Sequence, residues 1–238
     1  MDINIFRTEL EQDWDWRFEE LKLLKNLSSN LSKEQADIYR RSLVVFLYAH
    51  FEGFFQFALT HYIKTINDQM IPCSKANTHL ISATLTSVFK ALRDDNAKCD
   101  FFRIDAPEDV KLHRFFRETQ FIENSSSILS RIVSIETTSI DLESNLSPVV
   151  VKKNLYKLGL PYQLDKEIEG HLSKLKNIRN KIAHGERKEG VQLAEYEGFE
   201  NSVMKTINNT MSNLTKACNE KLFLQEAYRL ESNLTASN

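Results

Sequence analysis

The chemistry-bearing stretch of this chain is Ile178-Arg179-Asn180-Lys181-Ile182-Ala183-His184-Gly185. An arginine holds a phosphate with a planar fork of N–H donors, and a histidine moves protons near neutral pH. Asn180 beside the arginine adds a donor and an acceptor. These residue types suffice in principle, without a metal, to cut an RNA phosphodiester, because the attacking 2′-hydroxyl is already part of the substrate. Spacing complicates this. On a helix, residues four apart lie within about 40° of one another, whereas residues five apart diverge by about 140°. Lys176, Asn180 and His184 therefore line one face, with Arg179 about 60° round from Lys176. From a straight helix, Arg179 and His184 do not point at one phosphate. A sweep of the long arginine, a helix end at Gly185, or a second chain across a symmetric interface would each bring the two types together. A plainer reading stands beside these: basic side chains before a C-terminal glycine complement the helix dipole and cap free carbonyls.

The elements that must position these residues are helical. Thr8-Glu9-Leu10-Glu11 has capping-box spacing, and Trp14, Phe18, Leu21 and Leu24 continue at helical intervals to about Leu27. Ser32-Lys33-Glu34-Gln35 is a second capping box, opening a long apolar helix to about Ile66. In the middle, a helix is expected from Asn77 to about Leu92, and a short strand or buried loop at Phe101-Phe102-Arg103-Ile104. Pro107 suits the first turn of a helix through Phe116. A further helix is expected over residues 125–133 and a loop or short hairpin over 134–145. Ser147-Pro148 opens a helix that ends at Gly159. Asp165 caps the next, which runs to Ala183 or His184 and closes at Gly185. After a polar linker, Tyr196, Phe199, Val203, Ile207, Met211 and Leu214 mark a last long helix. Thr235-Ala236-Ser237-Asn238 should fray. The pattern predicts one all-α domain over 1–238, with core helices at about 8–66 and 147–230 and an irregular insertion at about 67–145.

Composition bounds the function. The 238 residues include only 6 Gly and 4 Pro, few for a turn-rich sandwich or barrel, and 15 Phe as core material. Net charge is −2, so any nucleic-acid contact must be a local patch or one assembled from two chains. Cys73, Cys99 and Cys218 form no CxxC pair, which fits a reduced cytoplasm. The polar, acidic start Met1-Asp2-Ile3-Asn4 does not read as a signal peptide. Residues 43–63 are apolar enough to suggest a membrane span, but His50, Glu52, Gln56 and His61 would be costly in lipid, so a buried core helix is expected. His61, His79, His113 and His171 are isolated in sequence, and no metal site or cofactor is expected. Tyr48, Glu52 and Gln56 share one stripe of the long helix. If buried, a carboxylate there needs a cation, either one from the Arg179 helix or Arg41 on its own helix; the plainer alternative is a surface stripe. His50 lies on the other side.

Residues 175–185, Leu-Lys-Asn-Ile-Arg-Asn-Lys-Ile-Ala-His-Gly, resemble the signature of the HEPN superfamily, in which an arginine and a polar residue precede a histidine late in an all-α bundle. Tyr48-Ala49-His50-Phe51-Glu52-Gly53-Phe54 resembles the "YAHxEGF" helix of MAE-type HEPN-like nucleases, and so does Glu143-Ser144-Asn145-Leu146-Ser147-Pro148 with the helix ending Leu158-Gly159-Leu160. The resemblance covers about residues 5–225. It implies an antiparallel helical bundle and a metal-independent endoribonuclease whose site forms between two HEPN units, hence a homodimer. Arg179 and His184 would carry catalysis, with Asn180 as the polar neighbour; by helix-face position, not by the resemblance, Lys176 and Glu52 are expected to bind substrate or support the site. The cleavage would leave a 2′,3′-cyclic phosphate. It further implies an effector of a toxin–antitoxin or antiphage system with a regulatory or antitoxin protein partner. The alternative is a non-catalytic HEPN module binding a protein partner or nucleotide.

Overall fold

A computed structural model of the chain describes residues 1–230; the expected fraying of residues 235–238 lies outside them. Four long helices form the core: α1 (Ile3–Leu27), α2 (Lys33–Asn67), α8 (Lys166–Ala183) and α9 (Leu193–Asn219). Between α2 and α8 lie five shorter helices, α3 (Thr78–Thr84), α4 (Thr86–Arg93), α5 (Val110–Glu123), α6 (Ser125–Ser130) and α7 (Pro148–Lys157). Among the described residues there is no named strand, only isolated bridges at Pro72–Ile132 and Ala76–Leu224.

Helix α2 is the axis on which the others pack, touching α1, α8 and α9. The Ser32 capping box forms in full, with Ser32 Oγ accepting from the Gln35 N–H and Gln35 Oε1 accepting from the Ser32 N–H. Phe51, Phe54, Phe55, Leu59 and Ile63 are all but fully buried; each contributes roughly 1.5–3 kcal/mol relative to exposure. By length and apolarity α2 could cross a membrane, yet its apolar side chains are the core of this bundle.

Several expected boundaries move. Helix α1 begins at Ile3, because the Asp2 carboxylate accepts from the Asn4 and Ile5 N–H groups. The Thr8 box is inoperative mid-helix, and Glu11 pairs with Arg7 instead. Asp109, not the Pro107 turn, starts α5 by accepting from the Leu112 N–H, and the helix continues to Glu123. The expected 77–92 helix is broken at Leu85 into α3 and α4. Phe101 and Ile104 are strongly exposed in a turn, neither strand nor buried loop, and residues 134–145 hold a 3-10 turn (Thr137–Ser139) rather than a hairpin.

The middle segment is stitched to the bundle by polar contacts. Asn67, at the end of α2, exchanges two bonds with the Ile135 backbone, and Asn77 donates to the Phe223 and Leu222 carbonyls beyond α9. Ser147 caps α7 with Pro148 inside its first turn. At the other end, Gly159 at φ 69° closes the helix, with the Leu160 N–H reaching the Leu155 carbonyl.

Candidate functional site

Helix α8 packs on α2 and carries the Arg-Asn-His element along its last two turns. The Arg179 guanidinium is braced on three sides. Nη2 donates to Glu52 Oε2 at 3.2 Å, Nη1 donates to Asn180 Oδ1 at 2.9 Å, and Cζ sits 3.9 Å from the centre of the Tyr48 ring. Tyr48 and Glu52 are one turn apart on α2, so ring and carboxylate present a shelf with a wall. The Tyr48 hydroxyl in turn accepts from the Leu146 N–H. Burial pushes the Tyr48 phenol up to about 12, reinforced by the Glu52 charge and opposed by Arg179. Glu52 thus pairs with the α8 arginine rather than with Arg41, and Gln56 turns away to Thr60.

All three motif stretches meet here. The segment before α7 passes through left-handed backbone at Glu143 (φ 52°) and Ser144 (φ 57°), which delivers Leu146 to Tyr48. Such conformations at non-glycine residues are strained and cluster at functional sites. The convergence on Tyr48 was not expected from the sequence; the signal for it was the four-residue spacing of Tyr48 and Glu52 on an otherwise apolar helix. Arg179 retains about a fifth of its side-chain exposure. Of its five N–H donors, the bonds to Asn180 and Glu52 use two, so the fork is oriented but not exhausted.

His184 is placed differently. It is the C-cap of α8, its N–H donating to the Asn180 carbonyl, and its side chain is exposed and has no hydrogen-bond partner among the described residues. Gly185, at φ 72°, lets the chain reverse, and the Glu186 N–H reaches back to the Lys181 carbonyl. The helix therefore ends in the glycine closure that the plainer reading requires, but by backbone; the imidazole caps nothing. No bond or ion pair joins His184 to Arg179. Lys176, one turn before Asn180, is half-buried, and the cation paired with Glu52 is Arg179. The loop after His184 is strapped to the start of α2: Arg40 donates to the Val191 carbonyl at 2.7 Å, Arg41 to the Lys188 carbonyl at 3.0 Å, and Val191 N–H to the Asp37 carbonyl at 2.8 Å.

The other histidines, isolated in sequence, have partners in space. His50 lies 3.0 Å from Glu20 on the side of α2 away from Glu52, His61 2.9 Å from Glu9, and His171 Nδ1 2.8 Å from Ser202 Oγ. His113 Nδ1 sits 3.2 Å from Cys99 Sγ, so a cysteine partner that sequence spacing concealed does exist. Among the described residues no group of three or more His, Cys, Asp and Glu gathers as a metal site would require. Charge is also uneven. Residues 146–188 hold ten Lys and Arg against four Asp and Glu, a net of +6 in a chain whose total is −2. The near-neutral total conceals a basic α7–α8 region.

A helical bundle that braces an arginine between a carboxylate and a ring, beside an amide and an exposed terminal histidine, has the make-up of a nuclease-like or nucleotide-handling module. The sequence profile of the MAE_28990-like HEPN family matches residues 6–223, and the chain belongs to that family. The match spans α1 to the end of α9 and includes all three motif stretches. No curated protein and no solved structure gives a significant match.

Proposed function

We propose that this protein is a metal-independent endoribonuclease acting as a homodimer. The ribose 2′-hydroxyl attacks the adjacent phosphorus in line, its proton passing to a base, and the P–O5′ bond breaks as the leaving oxygen takes up a proton. The products are a 2′,3′-cyclic phosphate and a 5′-hydroxyl. Arg179 stabilises the charge that builds on the phosphate oxygens, His184 serves as general base or acid, and Asn180 orients Arg179 or a substrate oxygen. Lys176 adds positive charge along the approach. The observation that carries this reading is the Arg179 guanidinium, held in a fixed plane by Glu52, Asn180 and Tyr48, with donors left over for a phosphate.

The dimer is supported by two features. His184 and Arg179 diverge within one chain, so pairing with a second α8 supplies the missing convergence. Beside Glu52, α2 also exposes Ile38, Phe46 and Ala49 along one stripe. A cytoplasmic effector of a toxin–antitoxin or antiphage system, restrained by a regulatory protein, is consistent with such an activity and rests on family analogy. The competing reading, a non-catalytic HEPN module binding a protein partner or nucleotide, draws on the Glu52–Arg179 ion pair, which gives the arginine's charge a partner without a ligand.

The deciding experiment incubates the protein and its His184→Ala variant with total RNA in EDTA, and analyses the new 3′ ends. Cleavage by the parent alone, with cyclic phosphate termini, is the expected result. Equal cleavage by both, or by neither under any condition, sinks the catalytic reading. Light scattering tests the assembly: a strict monomer that still cuts RNA removes the composite site.

A further inference from the structure

The surface beyond the Arg179 cluster contains a second feature that the cleavage chemistry does not use. A cavity of about 500 Å³ lies at the C-terminal end of α7, between that helix, the α3–α4 face and the 3-10 turn at residues 137–139. Its wall is aromatic on one side and hydroxylated on the other, and it also includes Asp141, whose carboxylate accepts from the Glu143 N–H. Tyr156 is half-exposed, with His79 edge-on at 5.0 Å and Tyr162 edge-on at 5.3 Å. Both neighbouring rings lie nearly perpendicular to the Tyr156 ring, at 90° and 85°, and about half of the Tyr156 surface stays open to solvent. Opposite stand Ser82 and Thr86, whose hydroxyl protons go to backbone carbonyls, leaving their oxygens as acceptors. Lys157 donates to the Ser139 carbonyl at the cavity and has two further ammonium protons to give.

Helix α7 connects this cavity to the braced arginine. Its entry is fixed at Tyr48 through Leu146, and its last turn forms the cavity wall. Ten residues make α7 about 15 Å long, the span of a few nucleotides of single-stranded RNA. Between its ends, α7 turns Lys152 and Lys153 outward, within the segment of net charge +6. Both lysines have acidic neighbours, Glu169 and Glu143, so the rail is moderated rather than strongly cationic.

We propose that the cavity is a base-docking subsite for single-stranded RNA, in which a nucleobase stacks on Tyr156, the adjoining backbone runs along α7, and the scissile phosphate lies at Arg179. This inference rests on the ribonuclease reading for its geometry but makes a separate claim about binding. It implies a preference for unpaired substrate, because a base within a duplex cannot reach the ring.

The test measures binding and cleavage independently. Fluorescently labelled single-stranded RNA 12-mers are titrated by anisotropy against the full chain, Tyr156→Ala, Tyr156→Phe and His184→Ala. A 12-mer carrying 4-thiouridine is photo-crosslinked and the modified peptide identified. Stacking of one base on an aromatic ring predicts a loss of five-fold or more in affinity for Tyr156→Ala. Tyr156→Phe, which retains the ring, should bind within two-fold of the parent, and the crosslink should fall on the peptide containing Tyr156. In cleavage assays Tyr156→Ala should raise KM for the 12-mer and leave kcat unchanged. If Tyr156→Ala binds as tightly as the parent, or the crosslink maps elsewhere, or no RNA binds, the subsite is overturned. RNA binding that depends on Tyr156 in a protein that never cleaves RNA would sustain the subsite while ending the nuclease reading.

Discussion

Arg179 and His184 lie on one short helical element, yet their surroundings are opposite. The arginine is stacked on a ring and paired with a carboxylate, both from α2, and bonded to its neighbouring amide on α8. The histidine side chain stands exposed at the helix end with no bonded partner among the described residues. A group that stabilises charge gains from being fixed in advance, since no reorganisation is then needed during reaction. A group that moves protons must reach whatever arrives. The contrast separates two costs of mutation that are usually entangled: one end is part of the fold, and the other is not.

The sharpest test sets the two alanine variants side by side. His184→Ala should lower cleavage by about 10²-fold or more, with stability unchanged within about 0.5 kcal/mol, read by RNA gel assay and thermal melting. Arg179→Ala should lose activity to a similar degree but also cost about 1–3 kcal/mol, because Glu52 is left without its cation against a buried ring. Equal melting temperatures for the two variants would erase the proposed asymmetry. Arg179→Lys keeps the charge and loses the fork, so it should restore part of the stability and little of the activity.

Smaller effects probe the boundary between the two ends. Gly185→Ala meets no steric obstacle but must adopt φ 72°, which costs about 1–2 kcal/mol. Gly185→Asn, more tolerant of that conformation, should cost less, as chemical denaturation would show. Smallest is Tyr48→Phe, which removes the acceptor of the Leu146 N–H and should cost about 1 kcal/mol while leaving the ring under Arg179. Because burial raises the Tyr48 phenol from 10.0 to about 12, the folded state retains a proton that the unfolded state releases. Stability should therefore fall as pH rises from 10 towards 12. Tyr62 and Tyr196 shift in the same direction, so Tyr48→Phe should make that slope shallower without removing it.

The long helices were readable because their signals are local. Ser32 with Gln35, Ser147 with Pro148, and Gly185 each specify an end through neighbours within a few residues. The middle was poorly legible for the same reason. Asp109 displaced the Pro107 turn as the start of α5, and Asn67 and Asn77 act through partners far away in sequence. Within the site, periodicity put Glu52 and Tyr48 on one stripe, but only the packing of α8 on α2 decided between Arg179 and Arg41 as the cation. Arg41 was drawn off by the Lys188 carbonyl, a backbone group that leaves no trace in residue types. Leu146 was hidden for a related reason: its contribution to the site is an amide proton that every non-proline residue carries.

The strap between the helix end and α2 has a consequence for hydrogen exchange. Helix ends ordinarily fray, and their amides exchange with solvent long before those of the core. Here the chain leaving His184 is tied down at Lys188 and Val191, so the last amides of α8 should exchange slowly, at rates closer to those of α2. Gly190 controls that tie. A methyl group there would sit 2.7 Å from the Asp37 backbone carbon, and the loop would have to lift away. A residue with no side chain, six positions beyond the histidine, therefore sets how long the closing amide bonds of α8 persist, and a single added carbon should be visible as faster exchange at Gly185 and Glu186.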